Sequence, residues 1–181
     1  MSALASRTDA ELVAESLRGS QDAFAILVRR HQNALYRYGV AFGIDGDTAL
    51  DLLQDTFVKA HDRLAQCRDA ERFRPWLFRI YRNALLDWQR DIRRGEVSGT
   101  DVPEPADPAD FGEQLALREA IGSALAALPA ILREAFLLRH QLGHSYEEIA
   151  DVSGVTVSAA KMRVMRAREI LRDALAPDYA M

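Results

Sequence analysis

The sequence has little of what builds a secreted, metal-bound or membrane-spanning domain. Its single cysteine, Cys67, excludes an internal disulfide framework and any site with several cysteine ligands. No uninterrupted apolar stretch approaches the ~20 residues that cross a bilayer. The first 18 residues carry three acids and lack the basic and then apolar layout of a signal peptide. We therefore expect a cytoplasmic chain with no membrane insertion of its own, in which Cys67 is a small buried hydrophobe.

Signatures of catalysis are also missing. The sequence contains no glycine loop that would cradle a phosphate and no nucleophile motif. His140 and His144 are four residues apart, but Gly143 is expected to break the helix between them, and no third ligand is nearby in sequence. The other two histidines, His31 and His61, are expected to be packed or solvated. We predict that the protein is not an enzyme and has no catalytic residue, metal site or cofactor.

Charge is distributed unevenly along the 181 residues. The formal net charge is −4, but residues 95–112 hold five acids and no base, and removing those five charges leaves +1. The same segment contains three prolines and no periodic apolar pattern. Such a stretch is typical of an extended, self-repelling linker. It divides the chain into two parts, each the size of a small domain.

Helical periodicity dominates the first part, and no segment of the chain shows convincing strand alternation. Thr8 and Glu11 form a capping-box pattern that predicts a helix from about residue 9 to 18. Three longer helices follow, beginning after Ser20 or Gln21, at Asp47 and near Pro75, whose position suits a first helical turn. The predicted inner positions are Phe24, Leu27, His31, Leu35, Tyr38 and Phe42 in the first of these, Ala49, Leu52, Leu53, Thr56, Phe57, Ala60 and Leu64 in the second, and Leu77, Ile80, Ala84, Trp88 and Ile92 in the third.

The second part contains a helix-turn-helix pattern at residues 145–168. Ser145 and Glu148 form another capping box, Gly154 supplies a sharp turn, and Thr156 follows it as a cap. In this layout the second helix enters the major groove of DNA, although an ordinary basic surface helix is the alternative. The predicted helices are Tyr146–Ser153 and Val157 to about Ala176, and the second helix exposes Ser158, Ala159, Lys161, Met162, Arg163 and Arg166.

Arginines and aromatic residues are interleaved over residues 68–94. The segment contains eight arginines together with the rings of Phe73, Trp76, Phe78, Tyr81 and Trp88. Arginines neutralise phosphates, and exposed rings stack on unpaired bases at ~1–3 kcal/mol per base. A protein that holds a melted DNA strand needs both properties, because the opened bases have lost their stacking partners. The alternative is that the rings are core residues only.

Several stretches resemble the motifs of one protein family, in that family's order and spacing. Residues Asp51–Ala60 resemble the polymerase-binding helix of bacterial sigma factors. Residues Phe73–Ala84 resemble the helix that reads the −10 promoter element in the extracytoplasmic-function class of the sigma-70 family. Residues Ala126–Pro129, Ser145–Ala150 and Lys161–Arg168 resemble the domain of that class that reads the −35 element.

The resemblance implies an all-α fold of two small helical domains. A sigma2-like bundle would occupy residues 1–94, and a sigma4-like domain with the helix-turn-helix would occupy residues 113–181, with the acidic, proline-containing linker over 95–112. The partners would be core RNA polymerase, promoter DNA and an anti-sigma factor. The implied polymerase-binding residues are Asp51, Leu52, Gln54, Asp55, Val58 and Lys59; the −10 residues are Phe73, Arg74, Trp76, Arg79, Arg82, Asn83 and Arg90; the −35 residues are Ser158, Ala159, Lys161, Met162, Arg163 and Arg166.

Two other functions fit part of the sequence. A stand-alone helix-turn-helix regulator leaves the arginine–aromatic segment unexplained. A sigma mimic that sequesters an anti-sigma factor would not need the basic residues of the second helix, which are present. The chain also departs from the family pattern at Ala159, Met162 and Met165, where apolar side chains replace more usual polar ones. These departures leave the sequence of the −35 element open.

Overall fold

This computed structural model describes the backbone of residues 6–95 and 112–176, and the side chains of residues 6–95 and 120–176. The chain divides into two compact units, Met1–Val102 and Pro103–Met181. All regular structure within the described residues is helical, which confirms the predicted all-α fold class. Residues 96–111 of the predicted linker lie outside the described residues, so its extended form stays a prediction.

The described part of the first unit consists of α-helices and two short 3-10 turns. The helices are α1 (Asp9–Leu17), α2 (Gln21–Ala41), α3 (Gly46–Asp62) and α4 (Phe73–Arg94), and the turns at Leu64–Gln66 and Ala70–Arg72 lie between α3 and α4.

Side-chain caps fix the starts of the first three helices. The predicted capping box of Thr8 and Glu11 is confirmed, and Ser20 caps α2. The predicted cap of α3 is wrong, since Asp45 rather than Asp47 takes that position. The Asp45 carboxylate accepts from the Thr48 amide at 2.9 Å and from the Thr48 hydroxyl at 2.6 Å. Because the Asp45 carboxylate satisfies both Thr48 donors, Asp45 is the cap and α3 begins at Gly46, one residue before Asp47.

Helices α2, α3 and α4 meet around the Tyr81 ring. The Tyr81 hydroxyl donates to the Ala49 carbonyl of α3 at 3.2 Å, and the ring lies 6.3 Å from that of Tyr38 on α2. Gly39, on the next position of α2, leaves space for it: a Cβ at this glycine would overlap the hydroxyl and lie 3.1 Å from Cζ of Tyr81. Burial raises the pKa of the Tyr81 phenol, so it stays a neutral donor. The Tyr81 hydrogen bond to α3 and the close approach that Gly39 of α2 allows therefore hold the three helices together.

The buried stripe of α4 differs from the predicted one. Leu77 and Ala84 are buried as expected, but Ile80, Trp88 and Ile92 are only partly buried. The stripe instead includes Phe73, Phe78, Tyr81 and Leu85, each fully buried. The helix begins at Phe73, whose ring is in the core, and the packing of Phe78 against Tyr38 at 5.8 Å sets which side faces inward.

A charged cluster joins α1 to α2. The Asp9 carboxylate lies 2.7 Å from Nε2 of the buried His31 and also pairs with Arg30, which donates to the Arg7 carbonyl at 2.9 Å. Burial acts to raise the pKa of Asp9, but hydrogen bonds and positive charge from His31 and Arg30 outweigh it, and the pKa is lowered. The ionised carboxylate is therefore the form that holds the two helices together.

We expect Asp9→Asn to lower the free energy of unfolding at neutral pH by about 1–3 kcal/mol, since it removes a charged acceptor. The folded-state pKa is lowered, so this stabilisation is fully present above the ordinary value of 3.8 and is lost as pH falls through the folded value. Chemical denaturation of both proteins from about pH 7 to pH 3 measures the difference. Asp22→Asn, at an exposed site in the first turn of α2, is the control, and a pH-independent Asp9 effect would contradict the assignment.

The second unit contains α5 (Gly112–Ala127), α6 (Ala130–His140), α7 (Tyr146–Ser153) and α8 (Val157–Leu175). Its core includes Leu128, Leu132, Ala167 and Leu171, so α8 packs on the helices before it. Ile170, immediately before Leu171 on the same helix, is 37% exposed.

The predicted helix-turn-helix is confirmed. The Ser145 hydroxyl accepts from the Glu148 amide at 3.1 Å, and the Glu148 carboxylate accepts from the Ser145 amide at 2.7 Å. Gly154 has φ +67°, the left-handed backbone that ends α7 sharply, and Thr156 caps α8. The expected helix break before His144 is also observed, since α6 ends at residue 140 and Gly143 has φ +68°.

Candidate nucleic-acid interface

The outward side of α3 carries most of the residues predicted to bind a protein partner. Asp51, Gln54, Asp55, Val58 and Lys59 are exposed, and Leu52 is half-buried. The opposite side of the helix packs inward through Leu53, Thr56, Phe57 and Ala60, which confirms the interpretation of Phe57 as a core residue. We call the set Asp51, Gln54, Asp55 and Val58 the α3 face.

The α3 face combines two acids with exposed apolar surface. Val58 is 61% exposed, and Leu50, which the sequence interpretation missed, is 49% exposed. Leu50, Gln54 and Val58 follow one another at intervals of four residues, so they lie along one line of the helix. The signal available in the sequence was the position of Leu50, four and eight residues before Gln54 and Val58, two residues predicted to bind polymerase. A surface with two apolar side chains on one line of the helix and two acids beside that line suits a protein partner with basic and apolar groups.

The outward side of α4 carries a line of polar and aromatic residues. Arg79, Asn83 and Arg90 are exposed, and they repeat at intervals of four and seven residues, which keeps them on one side. Trp76 is half-buried at the start of this line. Arg90 forms an ion pair with Asp87, three residues before it on the same helix. We call Trp76, Arg79, Asn83 and Arg90 the α4 face.

Not every predicted residue lies on the α4 face. Phe73 is fully buried, with its ring 5.6 Å from His31 and 5.9 Å from Trp76, so the expectation that it contacts a base is corrected. Phe73 instead packs beside Trp76, which is half-buried. Arg74 and Arg82 are half-buried; Arg82 lies about 90° from the line, whereas Arg74, in the first turn of the helix, lies on its opposite side. Of the five rings in the arginine-rich segment, Trp76 and Trp88 keep exposed surface.

The turns before α4 hold further arginines at the surface. Arg68 and Arg72 are exposed, whereas Cys67 between the turns is buried, as predicted. The thiol donates to the Asp69 carbonyl at 3.4 Å. Burial, and then the charge of Asp69, raise the pKa of Cys67, which keeps the sulfur in its neutral form. Cys67 therefore anchors the turn that presents the two arginines.

The outward side of α8 carries the predicted residues of the second unit. Ser158, Lys161, Met162 and Arg166 are exposed, while Ala159 and Arg163 are half-buried. We call these six residues the α8 face.

Tyr146, at the start of α7, holds two cations near the α8 face. The Arg139 guanidinium lies 4.7 Å and the Lys161 ammonium 5.7 Å from the centre of its ring. Burial, and then the positive charges of Arg168 and Arg139, lower the pKa of His140 nearby. The sequence interpretation missed Tyr146 because nothing in the spacing of the basic residues shows that they gather on one ring. Arg139, Lys161 and Arg168 therefore lie at this end of the unit, and cations of this kind are what a DNA-binding surface requires.

Two family descriptions match the two units. The description "Sigma-70 region 2" matches residues 27–95, which include the α3 and α4 faces, and "Sigma-70, region 4" matches residues 118–171, which include the α8 face. The RNA polymerase sigma factor NccH of Alcaligenes xylosoxydans is 34% identical over 88% of this chain and 90% of its own length. The ECF RNA polymerase sigma-E factor of Escherichia coli K12 is 31% identical over 94% and 95%. The chain belongs to the ECF sigma factors of the sigma-70 family.

Solved structures of sigma factors share its fold. CnrH, in a structure with the cytosolic domain of CnrY, is 34% identical over 94% of this sigma factor and 98% of its own chain, with a TM-score of 0.72. The sigma factor RpoE of Bartonella quintana, in complex with the anti-sigma factor NepR, is 30% identical over 80% of this chain and 91% of its own chain, with a TM-score of 0.64.

One sequence relative is much longer than this chain. The probable RNA polymerase sigma factor RfaY of Xanthomonas campestris is 32% identical over 87% of this chain, which spans 41% of the length of RfaY.

Two further kinds of site are absent from the described residues. In that part of the sigma factor, no group of three or more His, Cys, Asp and Glu side chains is placed to hold a metal ion. No helix there is both long and apolar enough to cross a membrane.

Proposed function

We propose that this sigma factor binds core RNA polymerase and directs it to promoters that it recognises at two elements. The observation that carries the proposal is the match to both region 2 and region 4, in order and over most of the chain, with each exposed face inside a matched region. In this proposal residues 1–94 and 113–181 are the two functional domains and residues 95–112 tether them. Because both bind the same DNA, neither domain needs high affinity alone.

The α3 face is assigned to core polymerase. Its side chains are exposed, so they are available for docking. The −10 element is assigned to the α4 face together with Arg74 and Arg82. Here the partly exposed Trp76 ring would stack on an unpaired base, and the arginines would neutralise the phosphates of the separated strand.

The duplex at the −35 element is assigned to the α8 face. The start of a recognition helix reaches base edges, and its flanking cations contact phosphates. Polymerase supplies all catalysis, so the sigma factor is not an enzyme and has no cofactor. Since its partners are the transcription apparatus and promoter DNA, we place it in the cytoplasm. The complex of the related RpoE with NepR supports control by an anti-sigma factor.

Footprinting with and without core polymerase tests the proposed function. The purified protein, core enzyme and genomic promoter fragments are combined, and protection and strand opening are mapped. Both should occur only when core enzyme is present. Protection by the protein alone would instead indicate a stand-alone helix-turn-helix regulator. Tight binding to an anti-sigma domain with no protection under either condition would indicate a sigma mimic.

We expect Lys161→Ala and Arg163→Ala each to weaken holoenzyme binding to promoter duplex and to reduce its salt dependence. Each lost phosphate contact should lower the slope of log affinity against log salt by about 0.9. Binding titrations over a range of salt concentrations measure the slope. Arg172→Ala, near the end of α8 beside Asp173, is the matched control and should leave it unchanged. An unchanged slope in the Lys161 and Arg163 variants would show that neither residue contacts the DNA backbone.

A further inference from the structure

In the first half of α8, before Glu169, the centre of the outward side is uncharged. The buried side chains Ala160, Val164, Ala167 and Leu171 define the inward direction of the helix. At about 100° per residue, Met162 lies roughly 170° from their mean direction. It is 62% exposed. Met162, like Glu169 about two turns further on, therefore points almost directly away from its own domain.

Two uncharged residues extend this centre into a strip. Ser158 lies one turn before Met162, and Met165, 54% exposed, lies almost one turn after it. We call Ser158, Met162 and Met165 the methionine strip. The acid Glu169 follows one turn beyond Met165 and bounds the strip at its far end. Two methionines that are each more than half exposed on one helix are unusual, because large apolar side chains normally lie inside.

Cations border the strip on both sides. Lys161 and Arg163 lie about 100° to either side of Met162, and Arg166 lies about 40° away on the same side as Arg163. An apolar strip between two rows of cations is complementary to a groove that has negative walls and an apolar group on its floor. The DNA major groove has phosphates along both edges, and the C5-methyl group of thymine is the apolar group that its base pairs present there. A protein partner would cover the methionines but gains less from cations on both sides.

We propose that Met162, at the centre of the methionine strip, reads a thymine methyl group in the upstream promoter element. This rests on the proposed function and adds to it a base and the residue that selects that base. Methionine suits the role because its thioether is polarizable and its three rotatable bonds let it fill the space beside a methyl group. The upstream element of this sigma factor should then contain at least one thymine whose methyl group is needed.

Thymine-to-uracil replacement tests the proposal, since it removes only the methyl group. Duplexes are first selected with the holoenzyme from a library randomised upstream of a fixed −10 element. Each selected thymine is then replaced by uracil in turn. Loss of one buried methyl corresponds to about a three- to fivefold weaker affinity, expected at one or two positions. Met162→Gln holoenzyme should bind the thymine and uracil duplexes equally.

Ile170→Gln is the matched control because Ile170 is on the same helix, is 37% exposed and lies away from the strip. That variant should keep the wild-type preference for thymine. The inference is overturned if uracil is tolerated at every position, or if the uracil effect persists in Met162→Gln; core-dependent protection would still stand in either case. It is also overturned if Met162→Gln weakens only the binding of an anti-sigma protein. Absence of any core-dependent protection would overturn the proposed function itself.

Discussion

Asp55→Arg is expected to abolish promoter-dependent transcription while leaving the protein folded. Asp55 lies in the middle of the α3 face, exposed and with no part in the core. A reversed charge at a docked interface replaces an attraction with a repulsion, which costs several kcal/mol, or a factor of about a thousand or more in affinity. Binding of the variant to core polymerase and runoff transcription from a selected promoter both measure the loss.

The control for this experiment is a charge reversal elsewhere on the same unit. Asp22→Arg changes an exposed acid on α2 that is outside the α3 face and should keep most of the activity. Circular dichroism and thermal unfolding of both variants establish that the fold is intact. If Asp55→Arg supports normal transcription, the polymerase interface does not include the α3 face.

Gly39→Ala is expected to cause a large loss of stability in the first unit. The new methyl group would overlap the Tyr81 hydroxyl, which is buried and held by its hydrogen bond to the Ala49 carbonyl. Overpacking of this kind costs about 1–3 kcal/mol, and we expect a net loss of about 2 kcal/mol even though alanine favours the helix. In a unit of this size, such a loss lowers the midpoint of thermal unfolding by about 10 °C.

A second substitution distinguishes this clash from a general sensitivity of α2 to substitution at Gly39. Tyr81→Phe alone should cost about 1 kcal/mol through the lost hydrogen bond, but in the Gly39→Ala background it should restore part of the lost stability, because it removes the overlapping oxygen and leaves the closer approach to Cζ. Gly122→Ala on α5 is the matched control, since its added methyl group would meet nothing within 4 Å beyond its own stretch of helix, and it should be neutral or slightly stabilising. Additive effects of the Gly39 and Tyr81 changes would contradict the proposed contact.

The features that could be predicted from the sequence are those whose causes are local. Ser145 and Glu148 satisfy each other's amides within four residues, so the start of α7 follows directly from the pattern. The exposure of the α3 face could be predicted for a similar reason, because the polar and apolar sides of helix α3 differ sharply. The two methionines on α8 are also evident in the sequence, as departures from the family pattern.

The features that could not be predicted depend on contacts between distant residues. Both sides of α4 carry aromatic residues, and the periodicity alone does not show that Phe73 is inside while Trp76 keeps exposed surface. That choice is made by Tyr38 and His31 on α2, which pack against the rings. Tyr146 was missed for the same reason, since its neighbours Arg139 and Lys161 come from two other helices.

Helices α4 and α8 each bury one side within their own unit and expose on the opposite side the residues that we propose for recognition. In α8 the side that holds the domain together consists of Ala160, Val164, Ala167 and Leu171, and Met162 takes no part in it. Mutations at the outward positions can therefore accumulate with little thermodynamic penalty. A duplicated copy of this gene could acquire a new set of target promoters through a few substitutions at such positions, without first needing a compensating change in the interior.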